Sequence, residues 1–358
     1  MNKFIKDLLL VFLGITAGLL LVEAGLRIFA PQPVYLLNWE NFFYHKYDNE
    51  LGWTTKENSL GMDHPNLQEP SVQIRINSQG YRGMESPGLM TPGIRRVVIL
   101  GDSITFGYGV EEKDSYPAIL QALIGADSQV INRGVSGYGL DQEFLLFKRD
   151  VLQQRPDLVI VGFSAGDIYD STCSTRFGIP KPYFRLVDGK LILHSPPREF
   201  SKVNDSDILF RGKPFRSFLF TRLHLYRLIF YRFSPVMKKE HVSIEEMTVT
   251  EGTQVAAAIV RSWKKICDEN GIKLLFLVFP QDDWLKNAAS SKAFKSGHAS
   301  AVEILEDAGI SYLDLWDAFA ANYNQGLFLK GDNVHPNRKG NEIIAEKIRK
   351  RLHDDKLH

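Results

Sequence analysis

Short apolar runs without a polar interruption recur from residue 95 onward, and each is followed by a helical pattern. The clearest runs are residues 97–100, 158–163 and 274–278. A strand that is apolar on both faces must be covered by helices on both sides, which is typical of a parallel sheet. The sequence therefore predicts an α/β fold with a doubly wound parallel sheet, and two further strands at Val130–Asn132 and Tyr312–Asp314.

The spacing of apolar residues between these strands predicts the helices that cover the sheet. The predicted helices are Tyr116–Ile124, Leu140–Gln154, Val255–Asn270, Ala301–Ala308 and Glu342–Leu352.

The first thirty residues have a different composition. Residues 8–22 contain a single polar side chain, and the apolar character resumes up to Ala30. About twenty such residues form a helix of roughly 30 Å, which is enough to cross the hydrocarbon core of a bilayer. Because Lys3 and Lys6 precede the run, we expect the short N-terminus to stay cytoplasmic. The interpretation is an uncleaved single-pass membrane anchor with an extracytoplasmic or periplasmic domain; a cleaved signal peptide and a buried core helix are the alternatives.

The sequence divides into three parts: an anchor at residues 1–30, a linker with short strands at residues 31–94, and the α/β domain at residues 95–352. Alternation of strands and helices stops at about 172–250. There, aromatic residues are interleaved with arginine and lysine, and the spacing across Leu219–Phe233 predicts a basic amphipathic helix. This helical insertion has three possible roles, namely a packed cap, a lid over the substrate, or a contact with anionic lipid head groups.

The overall composition argues against several classes of partner. The formal net charge is +1 over 358 residues, and no basic tail is present, so no nucleic acid partner is expected. Cys173 and Cys267 do not form a metal-binding pattern, and they are either one disulfide or two free thiols. We expect no metal and no cofactor.

The loop after residues 97–100 places a serine where chemistry is expected. Gly101-Asp102-Ser103 brings one hydroxyl to the carboxyl edge of the sheet, where open α/β proteins bind ligands. A serine becomes a nucleophile only when a base removes its proton. Asp332 and His335 stand three residues apart, so one tight turn can hold the carboxylate against Nδ1 of the imidazole. The three residues Ser103, His335 and Asp332 therefore predict a catalytic triad.

Three segments, in this order, resemble blocks I, II and V of the SGNH/GDSL hydrolase superfamily. They are Gly101–Ser103, Asn132–Gly137 and Asp332–His335. The resemblance implies that Ser103 attacks an ester carbonyl with His335 as the base. It also implies an oxyanion hole made by the N–H groups of Ser103 and Gly137 and by a block III asparagine side chain. The Asn-x-x-Gly-Tyr-Arg turn at residues 77–82, after an N-terminal anchor, resembles bacterial membrane-attached members.

Block III departs from the family pattern. The residue before Asp167 is Gly166, where the family has asparagine. Loss of one oxyanion donor typically costs about a hundred- to a thousand-fold in rate. Three explanations stay open: another side chain such as Ser164 replaces the donor, the N–H of Gly166 or a water serves, or catalysis is weak or lost. Gly166 is therefore assigned to the oxyanion hole only as an expectation.

Together these features predict an SGNH-type serine esterase, a carboxylic ester hydrolase, that acts outside the cytoplasmic membrane. The expected substrates are short acyl esters of an envelope glycan, with a lipid ester as the other possibility. Two alternatives are an O-acyltransferase that modifies an envelope polysaccharide with the same triad, and a non-catalytic SGNH-fold glycan-binding protein.

Overall fold

The structure is a computed structural model, in which the chain forms two compact units. Residues 1–38 and 207–242 belong to the smaller unit, and residues 39–206 and 243–358 to the larger. The structure describes residues 3–30, 44–63, 65, 68–85, 93–176, 179–195, 219, 222–233, 251–286 and 292–354.

The strands, in chain order, are β1 (His45–Asp48), β2 (Gly52–Thr55), β3 (Ser59–Asp63), β4 (Val72–Ile76), β5 (Arg95–Gly101), β6 (Ser128–Gly134), β7 (Leu158–Phe163), β8 (Thr175–Arg176), β9 (Ile179–Pro180), β10 (Tyr183–Val187), β11 (Lys190–His194), β12 (Lys273–Val278) and β13 (Tyr312–Asp314). The α-helices are α1 (Lys3–Phe29), α2 (Ser103–Phe106), α3 (Tyr116–Ile124), α4 (Leu140–Leu146), α5 (Ala165–Asp170), α6 (His224–Phe233), α7 (Glu251–Glu269), α8 (Asp282–Lys286), α9 (Lys292–Asp307), α10 (Trp316–Asn322) and α11 (Arg338–Asp354).

A five-stranded sheet forms the centre of the larger unit. Its strand order is β13-β12-β7-β5-β6, and every neighbouring pair runs parallel. Strands β5 and β7 are buried almost throughout, as the apolar runs at residues 97–100 and 158–163 require. The predicted parallel sheet, with all five strands, is confirmed. Because the strands run parallel, the loops that follow β5, β6 and β7 share one edge of the sheet.

The predicted helices are also present, with one difference. Residues 140–154 were expected to form one helix, but α4 ends at Leu146 and the chain continues through a π turn and a 3₁₀ turn to Gln154. Arg155, with φ of 48°, then ends the segment in the left-handed region. The spacing of apolar residues shows which face is buried in an α-helix, a π turn or a 3₁₀ turn. It therefore does not show where the chain changes from one form to another.

Residues 44–85 form two antiparallel hairpins, β1–β2 and β3–β4. Both belong to the same unit as the parallel sheet. Strand β4 confirms the alternation of apolar residues at positions 72, 74 and 76, all of which are buried. The division of the chain into anchor, linker and domain stays a prediction.

The expectation of a helical insertion is wrong for residues 175–176 and 179–194. These residues form two antiparallel hairpins, β8–β9 and β10–β11. Asp188 and Gly189, with φ of 50° and 73°, join β10 to β11, and an Asp-Gly pair with two positive φ angles is a favoured hairpin turn. Helix α6 agrees with the predicted helix at Leu219–Phe233, whereas residues 196–218 and 234–250 lie outside the described residues.

Helix α1 has the length and hydropathy of a membrane span or of a signal sequence. It has 27 residues, an 18-residue stretch with a mean hydropathy of 2.2, and apolar side chains that are exposed along its length. This exposure excludes the alternative of a buried core helix. Near its end, the Glu23 carboxylate accepts hydrogen bonds from the backbone N–H groups of His224 and Leu225, at 3.0 and 2.9 Å. Arg27, which is also in α1, forms an ion pair with the same carboxylate. The two hydrogen bonds to Glu23 therefore join α1 to α6 within the smaller unit.

Both cysteines are free thiols. Cys267 is buried and Cys173 is half-buried.

Candidate active site

Ser103 is the first residue of the short helix α2, directly after β5. The carboxylate of Asp102 accepts a hydrogen bond from the Ile104 N–H at 2.8 Å and caps this helix. A Cβ on Gly101 would lie 2.0 Å from Thr105 Oγ1, so the close turn into α2 requires glycine. The strand end and the cap together fix the hydroxyl of Ser103 at the carboxyl edge of the sheet.

The structure brings the three predicted triad residues together. Ser103 Oγ lies 2.8 Å from His335 Nε2, and His335 Nδ1 lies 2.7 Å from Asp332 Oδ2. The second oxygen of Asp332 accepts the backbone N–H groups of Val334 and His335, at 2.7 and 2.9 Å. With Nδ1–H directed at Asp332, Nε2 is left as the acceptor for the Ser103 hydroxyl.

The charges around His335 favour its protonated form. Burial lowers the pKa of His335, but the Asp332 carboxylate, its hydrogen bond and the charges of Asp102 and Asp63 raise it, and the net pKa lies above the ordinary 6.5. Burial raises the pKa of Asp332, but His335 and the two backbone N–H groups lower it by a larger amount. The net pKa of Asp332 lies below its usual range. An Asp–His pair of this kind can stabilise an imidazolium.

Gly137 lies in the turn after β6, on the same edge of the sheet as Ser103. The N–H of Val135 donates to the carbonyl of Gly101 at 2.9 Å and joins the two loops. Gly137 has φ of 83°, a conformation that favours glycine. Within the described part of the chain, its N–H donates no hydrogen bond to another protein group. The Gly137 N–H is thus an available donor at the end of β6.

Gly166 lies in α5, which follows β7. Ser164 and Asp167 form a capping box at the start of this helix. The Asp167 carboxylate accepts the Ser164 N–H at 2.6 Å and the Ser164 hydroxyl at 3.0 Å. The Ser164 proton is therefore directed to Asp167. A Cβ on Gly166 would have Ser164 Oγ, at 3.4 Å, as its nearest neighbour, so this position has space for a side chain.

Several buried carboxyl groups lie close enough to interact electrostatically beneath this edge. Burial and the charge of Asp167 raise the pKa of Glu143 well above its usual range, and within the described residues neither of its carboxyl oxygens has a hydrogen-bond partner. Burial and the charge of Asp102 likewise raise the pKa of Asp167 well above its usual range. These shifts favour the neutral acid forms of Glu143 and Asp167.

Sequence analysis did not predict that side chains from residues 44–85 hold the loop that follows Ser103. The buried guanidinium of Arg82 donates to the carbonyls of Phe106, Gly107 and Val110, in the loop after the nucleophile. Asp63 accepts the Gly109 N–H at 3.4 Å. The turn at residues 77–82 was visible in the sequence, but nothing in it marks which loop Arg82 contacts.

The same loop also packs against His335. The ring of Tyr108 lies 4.6 Å from the ring of His335, centroid to centroid. Arg82 and Asp63 therefore hold a loop whose aromatic side chain covers the imidazole.

Two family models match the chain. The GDSL-like Lipase/Acylhydrolase family matches residues 99–199, which include Ser103 and Gly137. A second GDSL-like Lipase/Acylhydrolase model matches residues 270–348, which include Asp332 and His335. Among curated proteins, none matches the sequence.

Solved structures with a similar fold include the lipase/acylhydrolase from Enterococcus faecalis, at 16% identity over 72% of this chain and 95% of that chain, with a TM-score of 0.39. LAE5, an alpha/beta hydrolase enzyme from the metagenome of Lake Arreo, Spain, has 17% identity over 73% and 96% of the two chains, with a TM-score of 0.42. The acetylxylan esterase Axe2 from Geobacillus stearothermophilus has 16% identity over 74% and 96%, with a TM-score of 0.42.

Proposed function

The chain belongs to the SGNH/GDSL superfamily of hydrolases, and from this premise we propose that it is a serine esterase that works through an acyl group on Ser103. The observation that carries the proposal is the continuous chain of contacts from Ser103 Oγ to His335 Nε2 and from His335 Nδ1 to Asp332, at 2.8 and 2.7 Å. A half-buried Asp–His pair in contact with a serine at the end of a strand is the arrangement that activates this nucleophile.

The reaction follows from these contacts. Ser103 Oγ attacks the ester carbonyl carbon while its proton passes to His335 Nε2, and Asp332 stabilises the resulting imidazolium. The tetrahedral intermediate collapses when the C–O bond to the alcohol breaks and His335 returns the proton to the leaving oxygen. Water, deprotonated by the same histidine, then releases the acid and regenerates Ser103. We assign the oxyanion to the N–H groups of Ser103 and Gly137, with Gly166 at the position of the third donor.

We further propose that the catalytic unit lies outside the cytoplasmic membrane, on a single-pass anchor formed by α1. The length and hydropathy of α1 and the lysines that precede its apolar run support this orientation. Such a location favours acylated envelope glycans as the source of esters, with short acyl groups preferred.

A fluorophosphonate probe and an ester panel test the proposal on the full chain in detergent. We expect covalent labelling of Ser103, located by peptide mass spectrometry, and faster hydrolysis of acetyl esters and acetylated sugars than of long-chain esters. A folded protein that neither labels nor hydrolyses any ester would contradict an esterase and favour a glycan-binding role. Acyl groups that appear on an added polysaccharide rather than in water would instead identify an acyltransferase.

Restoring the family residue at position 166 tests the oxyanion assignment. Gly166→Asn should raise kcat by about tenfold or more, because one preorganised donor contributes a factor of about a hundred to a thousand when its geometry is ideal. The space around this glycine admits the side chain. The matched control is Gly166→Ala, which adds a Cβ without a donor and should give no gain. If the asparagine variant is no faster than the alanine variant, a different group already fills the third position.

A further inference from the structure

Trp53 lies in β2, far from the triad in sequence, and contacts the loop that carries the second oxyanion donor. Its side chain is buried, with 6% exposed. The indole Nε1–H donates a hydrogen bond to the backbone carbonyl of Ser136 at 3.0 Å. That carbonyl belongs to the same peptide group as the Gly137 N–H. One side chain therefore holds one end of the peptide whose other end is assigned to the oxyanion.

The planarity of the peptide bond makes this contact directional. In a trans peptide the C=O and N–H bonds point in opposite directions, so fixing the Ser136 carbonyl also fixes the direction of the Gly137 N–H. Gly137 has φ of 83°, and glycine moves between positive and negative φ at little cost. Without a restraint, rotation of this peptide would turn the donor away from the edge of the sheet. The indole hydrogen bond opposes that rotation.

The contact belongs to a larger clamp between the β1–β2 hairpin and the loop after β6. The Tyr138 hydroxyl donates to the backbone carbonyl of Trp53, and the two rings meet edge to face at 5.7 Å. Gln142 Nε2 donates to the carbonyl of Leu51 at 2.7 Å. The hairpin therefore holds residues on both sides of Gly137 and limits the movement of the whole turn.

We propose that Trp53 is a positioning residue for the oxyanion hole, whose indole N–H keeps the Gly137 N–H directed at the oxyanion of the tetrahedral intermediate. The proposal rests on the esterase function assigned above. A hydrogen bond accepted by the carbonyl also polarises the peptide and strengthens its N–H as a donor. Because Gly166 supplies no side-chain amide, the remaining donors carry more of the stabilisation, and the orientation of Gly137 matters more than in a site with three donors.

The test is the kinetics of Trp53→Phe, which keeps an aromatic ring and removes the N–H. We expect kcat to fall about tenfold, less than the hundredfold or greater loss of a whole donor. KM should stay near the wild-type value, because the oxyanion exists only in the transition state. Inhibition by phenylboronic acid, which forms a tetrahedral anion on the serine, should weaken by a similar factor.

Trp263→Phe is the matched control. Trp263 is fully buried in α7 against Phe144, Phe147 and Phe276, and its Nε1 has no hydrogen-bond partner among the described residues. This variant should lower the melting temperature and leave kcat unchanged. A second variant at position 53 carries 3-benzothienylalanine, which has the shape of tryptophan without the N–H. This variant separates the effect of the hydrogen bond from the effect of packing. Its kcat should fall as in Trp53→Phe, while its melting temperature stays at the wild-type value. It also decides the question if Trp53→Phe does not fold.

A benzothienylalanine variant with wild-type kcat and wild-type boronate affinity would overturn the role of Trp53 while leaving the esterase intact. Failure of the proposed function looks different, since the wild-type protein itself would then neither label at Ser103 nor bind the boronate, and both proposals would fall together.

Discussion

Replacing Ser103 by alanine is expected to lower kcat for ester hydrolysis about a million-fold, as the loss of a triad serine does in other hydrolases. The reason is the position of Ser103 Oγ, 2.8 Å from the base at His335 Nε2 and bonded to no other side chain in the described structure. Without this oxygen no acyl intermediate forms. The slow reaction that remains comes from water held near the backbone donors.

Steady-state hydrolysis of a short acyl ester measures this loss, and circular dichroism confirms that the variant is folded. Ser115→Ala is a suitable control, because the hydroxyl of the buried Ser115 does not contact His335 and donates instead to the Glu112 carbonyl at 2.7 Å. Its kcat should match that of the wild-type protein. A Ser103→Ala enzyme that kept a substantial part of the wild-type rate would show that another group is the nucleophile.

Replacing Asp332 by asparagine is expected to lower kcat about ten-thousand-fold, because the amide no longer selects the tautomer in which Nε2 of His335 is free to accept a proton. The pH profile should change as well. Activity requires neutral His335, so in the wild-type protein it rises with pH through a pKa above 6.5. Removing the Asp332 charge destabilises the imidazolium and lowers that pKa, so the rise should move to lower pH while the plateau falls.

The chain contains a second Asp–His pair that serves as the control for this variant. His298 Nε2 lies 3.1 Å from Asp314 Oδ2, as part of a contact between α9 and the end of β13. Asp314→Asn removes the same charge from the same kind of pair and should change neither the plateau nor the pH of the rise. If Asp332→Asn kept the wild-type pH profile, the carboxylate would not be coupled to the catalytic base.

The parts of the fold that were predictable are those whose cause is local. Residues 158–163 are apolar at every position, which requires cover on both faces of the strand, and they form β7 without a change of bounds. Asp332 and His335 are three residues apart, so a single turn joins them. The proximity of that turn to Ser103 was inferred from the need of a serine nucleophile for a base and from the family resemblance, because no local pattern connects residues 232 positions apart.

The roles that sequence analysis missed depend on contacts between distant residues. Trp53 reaches Ser136 across 83 positions, and Arg82 reaches Phe106 across 24. Glu143 lies on a helix and is fully buried, and its carboxyl oxygens have no hydrogen-bond partner in the part of the chain that the structure describes, which contradicts the usual expectation for glutamate. By contrast, the Asp188-Gly189 pair is present in the sequence, and its hairpin was overlooked because the whole insertion was interpreted from the aromatic and basic residues at 211–239.

The wide separation of nucleophile and base along the chain has a consequence for when the chemistry begins. Asp332 and His335 form their own contact within one turn, but Ser103 meets them only when that turn docks beside the end of β5. A chain still being synthesised, with its nucleophile already folded onto the early strands, has no base to activate it. On the proposed mechanism, hydrolysis therefore starts only after residue 335 has been made and this long-range contact has closed, so a chain that is still incomplete is inert toward esters.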